Sequence, residues 1–248
     1  MSAAVRIAMW SGPRNISTAM MRAFENRADA AVVDEPFYAA WLKATGEPHP
    51  MAAAVIAAGE TDPVRVAAAL IGPVPGGRSV FYQKHMTHHM IACFPRGWTE
   101  HVTNAFLIRA PEEVVASYSD RRGQATLADI GVEEQAEIFD RVADRLGAAP
   151  PVIDVRDVLA DPAAALSALC AACGIDFDPA MLAWPPGRRT TDGVWAAHWY
   201  ASVERSTGFS RPRPPVAFAS LSDEQKRVAA AARPFYERLA AHRLGAAG

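Results

Sequence analysis

The stretch VRIAMWSGPRNISTAMMRAF, Val5 to Phe24, reads as a buried strand, VRIAMW, that runs through the loop SGPRNIST into the helical face AMMRAF. A helix start leaves its first backbone N–H groups unpaired and carries partial positive charge. A phosphate or sulfate docking at Asn15, Ile16, Ser17 and Thr18 therefore meets several aligned donors. Ser17 and Thr18 add hydroxyls, and Arg14 adds a permanent, fork-shaped charge. The Walker-type loop GxxxxGK[ST] is not matched, because Gly12 is followed by neither a second glycine nor a lysine. The segment is an anion cradle without the signature of an ordinary ATPase; the alternative is a plain helix N-cap by Ser17 or Asn15.

Working outward, short apolar runs recur at Val5 to Trp10, Ala30 to Val33, Ser79 to Lys84, Asn104 to Ile108 and Val152 to Val155. They are continuous rather than alternating, which suits strands covered on both faces. Helical patterns lie between them over Ile16 to Asn26, Met51 to Ala58, Asp62-Pro63 to Leu70, Pro111 to Arg121 and Val132 to Leu146. Asp62-Pro63 is a cap followed by the residue best tolerated at the first helical position, and Asp161-Pro162 repeats it before a helix to about Cys173. Strands alternating with helices predict an α/β fold, a three-layer α/β/α arrangement around a parallel central sheet. Ligands bind there beyond the carboxyl ends of the strands, where the Ser11 to Thr18 loop would sit. The chain reads as a single domain over residues 1–248. Residues 184–219 form an irregular segment and residues 222–244 a C-terminal helix. The irregular segment is too long for a simple connection, and Trp184, Trp195 and Trp199 argue against disorder.

Half of the 248 residues are hydrophobic, ample for a sizeable core. With 25 basic against 27 acidic residues, no global field favours nucleic acid or an anionic membrane, so any anion affinity is local. Arg6 interrupts the N-terminal apolar run and no stretch is long enough to cross a bilayer, so neither a signal peptide nor a membrane span is expected and the cytoplasm is the natural compartment. Cys93, Cys170 and Cys173 are odd in number and lack a second ligand pair, so they read as buried thiols. The oligomeric state is open, a homodimer included.

After the strand NAFLI comes RAPEEVVAS, in which Pro111 begins a helix and Ser117 lies about two turns in. Helical side chains lean toward the N-terminus, so Arg109 at the strand tip and Ser117 can converge on one phosphate; the alternative is a surface arginine and a solvated serine. Together with the first loop this pair resembles the cytosolic sulfotransferase family that uses 3′-phosphoadenylyl sulfate (PAPS). In that family a PKSGTT or PRSGTT loop after the first strand holds the 5′-phosphosulfate, and Pro13-Arg14-Asn15-Ile16-Ser17-Thr18 stands in its place. A later RNPxxxxxS segment holds the 3′-phosphate, matched by Arg109, Pro111 and Ser117. Arg188 to Trp199 resembles the late element, preceded by an arginine, that folds over the nucleotide, so the resemblance implies a 3′-phosphate contact from Arg188 or Arg189. WSGPRNISTAM, VVDEPFYA, KHMTHH and DGVWAAHWYASVERSTGF are similar to a bacterial sulfotransferase-like branch with plant relatives fused to aminotransferase-like domains. The resemblance spans roughly Ile7 to Phe209 and implies a P-loop nucleotide-binding architecture. Asn15-Ile16 replaces the family's Ser-Gly, a change expected to hinder the glycine conformation of the loop.

Sulfuryl transfer needs the charge on the leaving phosphate neutralised and a proton removed from the nucleophile, largely by positioning and electrostatics. Arg14 and the loop N–H groups suit the first task. For the second, the family places a lysine and a histidine at a strand end of the KxH type, and Lys84 and His85 occupy that place here as neighbours. The base is expected to be His85, then Glu35, then His89 or His88. His85, His88 and His89 have offsets compatible with metal binding but no accompanying acid or cysteine, and no metal is expected. Asp34-Glu35 follows the second strand and reaches the same crevice; the alternative for Asp34 is a helix cap. Phe37, Tyr38, Trp41, Trp195, His198, Trp199 and Tyr200 are acceptor walls or adenine stackers, or simply core. The function implied is transfer of a sulfuryl group from PAPS to a hydroxyl or amine of a small molecule. The alternatives are a P-loop kinase-like, ATP-dependent phosphotransferase and a non-catalytic adenosine-bisphosphate-binding protein.

Overall fold

Strand β1 (Val5–Ser11) occupies the middle of a five-stranded sheet with β2 (Ala30–Asp34), β3 (Val80–Met86), β4 (Thr103–Ile108) and β5 (Val152–Asp154), in the order β2-β3-β1-β4-β5. The computed structural model describes residues 4–245, apart from the side chains of residues 121 and 122. Every strand pair is parallel, as the continuous apolar runs predict. After β1 the chain builds to one side and after β3 to the other, so the sheet reverses direction at the tip of β1. That tip is where open parallel sheets hold ligands.

Alternate residues of β1 divide the core. Ile7 and Met9 join Met20, Met21 and Phe24 of α1 (Ser17–Glu25) with Val158 of α8 (Val155–Ala160) and Leu166 and Leu169 of α9 (Pro162–Ala172). Ala8 and Trp10 face the other way, into Val66 and Leu70 of α4 (Pro63–Ile71), Phe139 and Val142 of α7 (Val132–Leu146) and Leu239 of α12 (Asp223–Ala240). Each large side chain buried in this way stabilises the fold by roughly 1.5–3 kcal/mol, and both sheet faces being covered gives the expected three layers. The two Asp-Pro starts behave as capped N-termini: Asp62 accepts from Val64 N–H at 2.8 Å and Asp161 from Ala164 N–H at 3.0 Å.

Several expectations change. The helix α2 (Tyr38–Thr45) follows the Asp34-Glu35-Pro36 turn without a side-chain cap, so Asp34 is not a helix cap. Residues 184–219 are not wholly irregular, since they include α10 (Ala196–Trp199) and α11 (Ala201–Glu204). Helix α12 ends at Ala240, short of residue 244. Cys170 and Cys173 are buried, and burial pushes their thiols up to about 11 and about 12, but Cys93 is exposed and not the buried thiol expected.

Two glycines let the loops at the sheet's carboxyl edge close on one another. A Cβ on Gly12 would lie 2.4 Å from the Ile130 carbonyl oxygen, at the end of α6 (Leu127–Ile130). Gly131, at φ 61°, would bring a Cβ to 2.7 Å from Thr87 Oγ1. The junction between α6 and α7 therefore packs directly on the base of the loop after β1 and on the Thr87–His89 turn.

Candidate active site

The loop leaving β1 takes left-handed backbone at Arg14 (φ 62°) and at Ile16 (φ 51°, ψ 16°), with the buried Asn15 between them. Alternation of this kind turns successive N–H groups inward into an anion-binding nest. The loop thus adopts the glycine conformation that Ile16 was expected to hinder; a β-branched residue there stores strain of about 1–3 kcal/mol. No side chain caps α1, so Ser17 and Asn15 are not the N-cap and the first-turn N–H groups stay open to a ligand. Gln135 holds the loop's root by donating to the Trp10 and Leu107 carbonyls, each at 3.0 Å.

Helix α5 (Pro111–Arg122) brings the second set of groups to the same place. Arg109 donates to the Arg14 carbonyl at 2.7 Å while Glu113 holds its Nε at 2.8 Å. Arg14 Nε donates to Ser117 Oγ at 2.9 Å, so residues assigned to opposite ends of a nucleotide touch in this state. A cavity of about 420 Å³ opens over them, lined by Arg14, Asn15, Ile16, Ser17, Thr18, Glu35, Lys84, Arg109 and Ser117 among others. Such a volume suits a nucleotide-sized ligand.

Three predicted site residues lie elsewhere. Arg188 and Arg189 do not line this cavity. Arg189 Nε sits 3.6 Å from Glu25 and the residue's backbone N–H donates to Asp192, so it is drawn to the acids of that corner. His85 is also absent from the lining: it is 2% exposed, stacked on Trp10 at 4.5 Å and beside Trp98 at 5.0 Å. Neighbouring strand residues point to opposite faces, so Lys84 and His85 cannot share one site. Burial, with a smaller contribution from the Lys84 charge, pushes the His85 imidazole down to about 3, and it is neutral in the core.

Lys84 is in register with Asp34 on the neighbouring strand and therefore on the same face. Its ammonium, 1% exposed, donates to Asp34 Oδ1 at 2.8 Å, Glu35 Oε1 at 2.5 Å and Tyr200 Oη at 2.8 Å. An ammonium has three N–H bonds, and all three are committed. Burial alone would lower it, but Asp34 and Glu35 together outweigh burial and hold Lys84 well above its ordinary range. Lys84 is thus a fixed, charged tie with no N–H left for a further acceptor. Glu35 has φ 42°, a strained value for a residue with a side chain, and its carboxyl is raised by burial against the opposing pull of Lys84.

Beyond Glu35 the wall is aromatic. His89 stacks on Tyr38 at 4.6 Å with an interplanar angle of 12° and lies 4.9 Å from Trp41. Burial, reinforced by neighbouring positive charge, holds its imidazole well below the usual range, and Nδ1 has no hydrogen-bond partner. Tyr38, His49, His88, His89, Trp199 and Tyr200 line the cavity, whereas the aromatic ring of Trp195 bonds Tyr200 Oη from behind it. Among the described residues no cluster of three or more His, Cys, Asp or Glu is placed to hold a metal ion.

Several lining residues escaped the sequence reading, His49 and Arg213 among them. His49 sits in the loop after α2, where a single imidazole among prolines carries no pattern. Arg213 comes from RPRPP; nearby Val216 packs with Val114, Val115 and Tyr118, which brings the arginine to the α5 side. The alternation of arginine with proline was the available signal, since proline stiffens a loop that presents a charge.

A family model described as “Sulfotransferase domain” matches residues 5–243. Two relatives from Arabidopsis thaliana, branched-chain-amino-acid aminotransferase-like proteins 1 and 2, are 35% and 33% identical over 204 residues, which is 82% of this chain. The match spans 36% of each relative's own length. Among solved structures, the sulfotransferase domain from the curacin biosynthetic pathway superposes with TM-score 0.52 at 17% identity, covering 93% of this chain and 98% of that one. A sulfotransferase from Alicyclobacillus acidocaldarius gives TM-score 0.52 at 14% identity over 97% and 96% of the two chains. At such identities the likeness is one of fold.

Proposed function

The chain belongs to the sulfotransferase domain family, and from that premise we propose that it moves a sulfuryl group from PAPS to a hydroxyl or amine of a small molecule. One observation carries this reading: the left-handed loop opening α1, Arg109 and Ser117 converge on a single cavity. The loop N–H groups take the 5′-phosphosulfate, where negative charge grows on the leaving phosphate as the S–O bond breaks. Arg109 with Ser117 takes the 3′-phosphate, with Arg213 arriving from the same side. Arg14, already bonded to Ser117, stands between the two anions and gains a stronger, ionised acceptor in either.

Glu35 is the base of this reading. It lines the cavity, Lys84 fixes its orientation, and a carboxyl raised by burial accepts a proton more readily than an exposed one. Lys84 and Tyr200 are positioning residues. His88 and His89 border the acceptor rather than replace Glu35.

Calorimetric titration with adenosine 3′,5′-bisphosphate, ADP and ATP with Mg²⁺ tests the nucleotide reading. The bisphosphate should bind tightest, and Arg109→Ala should weaken it by at least about tenfold, the scale of one charge-assisted bond. Preference for ATP with Mg²⁺ would instead mark a phosphotransferase. Tight bisphosphate binding with no turnover of PAPS across an acceptor panel would mark a binding protein.

A further inference from the structure

At the acceptor end of the cavity Glu35 and Lys84 line the wall and Asp34 is buried behind them, so two carboxylates meet one cation. Asp34 and Glu35 share Lys84, and among the described residues no other cation is bonded to either. With Glu35 ionised, this nearly dry corner carries one uncompensated negative charge, an expensive state unless a ligand cation completes it. Close by are the faces of Tyr38 and Trp199 and the neutral imidazole of His89, 2% exposed, with Nδ1 unpartnered in a residue that lines the cavity. Aromatic faces beside a carboxylate attract ammonium groups and repel carboxylates. The arginines of the lining belong to the loop, to the tip of β4 and to the α5 side, and among the described residues the only cation bonded to Glu35 is Lys84, whose three N–H bonds are taken.

Resting on the sulfotransferase reading, we propose that the acceptor is a primary amine carried on an apolar or aromatic body, bound as its ammonium against Glu35. Glu35 then takes one N–H proton. The freed nitrogen lone pair forms the N–S bond as the S–O bond to the 5′-phosphate breaks, and that electron pair stays on the phosphate oxygen of the departing adenosine 3′,5′-bisphosphate. The sulfated nitrogen releases its second proton to solvent, leaving a sulfamate. Glu35 both selects the cation and receives the proton.

The test uses three probes of one shape: 2-phenylethylamine, 2-phenylethanol and phenylacetate. Adenosine 3′,5′-bisphosphate is titrated first, and its binding reads the nucleotide assignment by itself. The probes are then titrated into both the loaded and the unloaded protein. The amine should bind about tenfold tighter than the alcohol, as one charge-assisted contact allows, with phenylacetate weakest. In Glu35→Gln the amine and alcohol should fall within about twofold, a loss of the charge-assisted part alone, with bisphosphate binding retained as proof of folding. Alcohol binding equal to or tighter than amine, an amine that does not bind, or a preference surviving in Glu35→Gln overturns the proposal. Failure of bisphosphate binding with the amine preference intact faults the nucleotide reading instead.

Discussion

Lys84 and His85 are one peptide bond apart, yet one is a charged tie at the cavity and the other a neutral ring in the opposite layer. The period of two along a strand separates them, and the register of β3 with Asp34 decides which residue faces the cavity. The buried imidazole has a pH consequence. Between its ordinary value near 6.5 and about 3 the unfolded chain binds a proton at His85 that the folded chain refuses, so this site lowers stability as pH falls through that window. Wild type should lose about 1.6 kcal/mol more between pH 6.5 and pH 5 than His85→Phe, which cannot titrate there. Urea unfolding at both pH values reads the difference; His89 contributes the same sign in both proteins and cancels. Parallel pH slopes would place His85 in contact with water, contrary to its stacked position.

Helix α1 does more than present its N-terminus. From its buried face Arg22 reaches Asp192 at 2.6 Å, and Thr191 bonds Glu25, so the segment carrying Trp199 and Tyr200 is fastened to the helix that follows the β1 loop. Both side chains of the Arg22–Asp192 pair are almost wholly buried, at 1% and 0% exposure. Removing Asp192 leaves the buried Arg22 guanidinium with its 3.2 Å pair to Glu25 and takes away the acceptor of its other terminal nitrogen, in a place water does not reach. Asp192→Ala should therefore reduce unfolding free energy by about 3 kcal/mol, whereas Glu60→Ala, which breaks the exposed pair with Arg65, should change it by no more than about 0.5 kcal/mol. Denaturant midpoints of the two variants measure the contrast, and equal effects would remove the fastening role. The same element explains the misplaced Arg189: the acids that hold Asp192's neighbourhood together also claim that arginine.

Across the whole molecule, one end of the cavity is lined by the loop between β1 and α1 and by the tip of β4 with α5, while the other is lined by Glu35 just after β2, Tyr38 of α2, Lys84 of β3, the turn after β3 and residues 199–203. A ligand spanning them ties separate parts of the chain together and should raise stability by mass action. At about one hundred times its dissociation constant, adenosine 3′,5′-bisphosphate should add about 2.7 kcal/mol and raise Tm by about 5–10 °C. Differential scanning fluorimetry reads this, and an unchanged Tm at saturating ligand would contradict binding in the cavity. All five strands and the main helices were legible because a buried parallel strand must be a continuous apolar run and an Asp-Pro start can do little but cap. That Arg14, Asn15 to Thr18, Arg109 and Ser117 gather at one cavity followed from the sequence too, since the first five run from the β1–α1 connection into the start of α1, and Arg109 and Ser117 stand at the tip of β4 and on the first turns of the helix after it. The sequence alone thus determined the layered sheet and the edge at which these residues gather. Only tertiary structure decided that Lys84 rather than His85 faces the cavity, that Arg213 lines it while Arg188 and Arg189 do not, and that Ile16 accepts a left-handed backbone. Register, loop docking and strain are set by contacts between residues far apart in the chain, and those contacts have no local spacing to read.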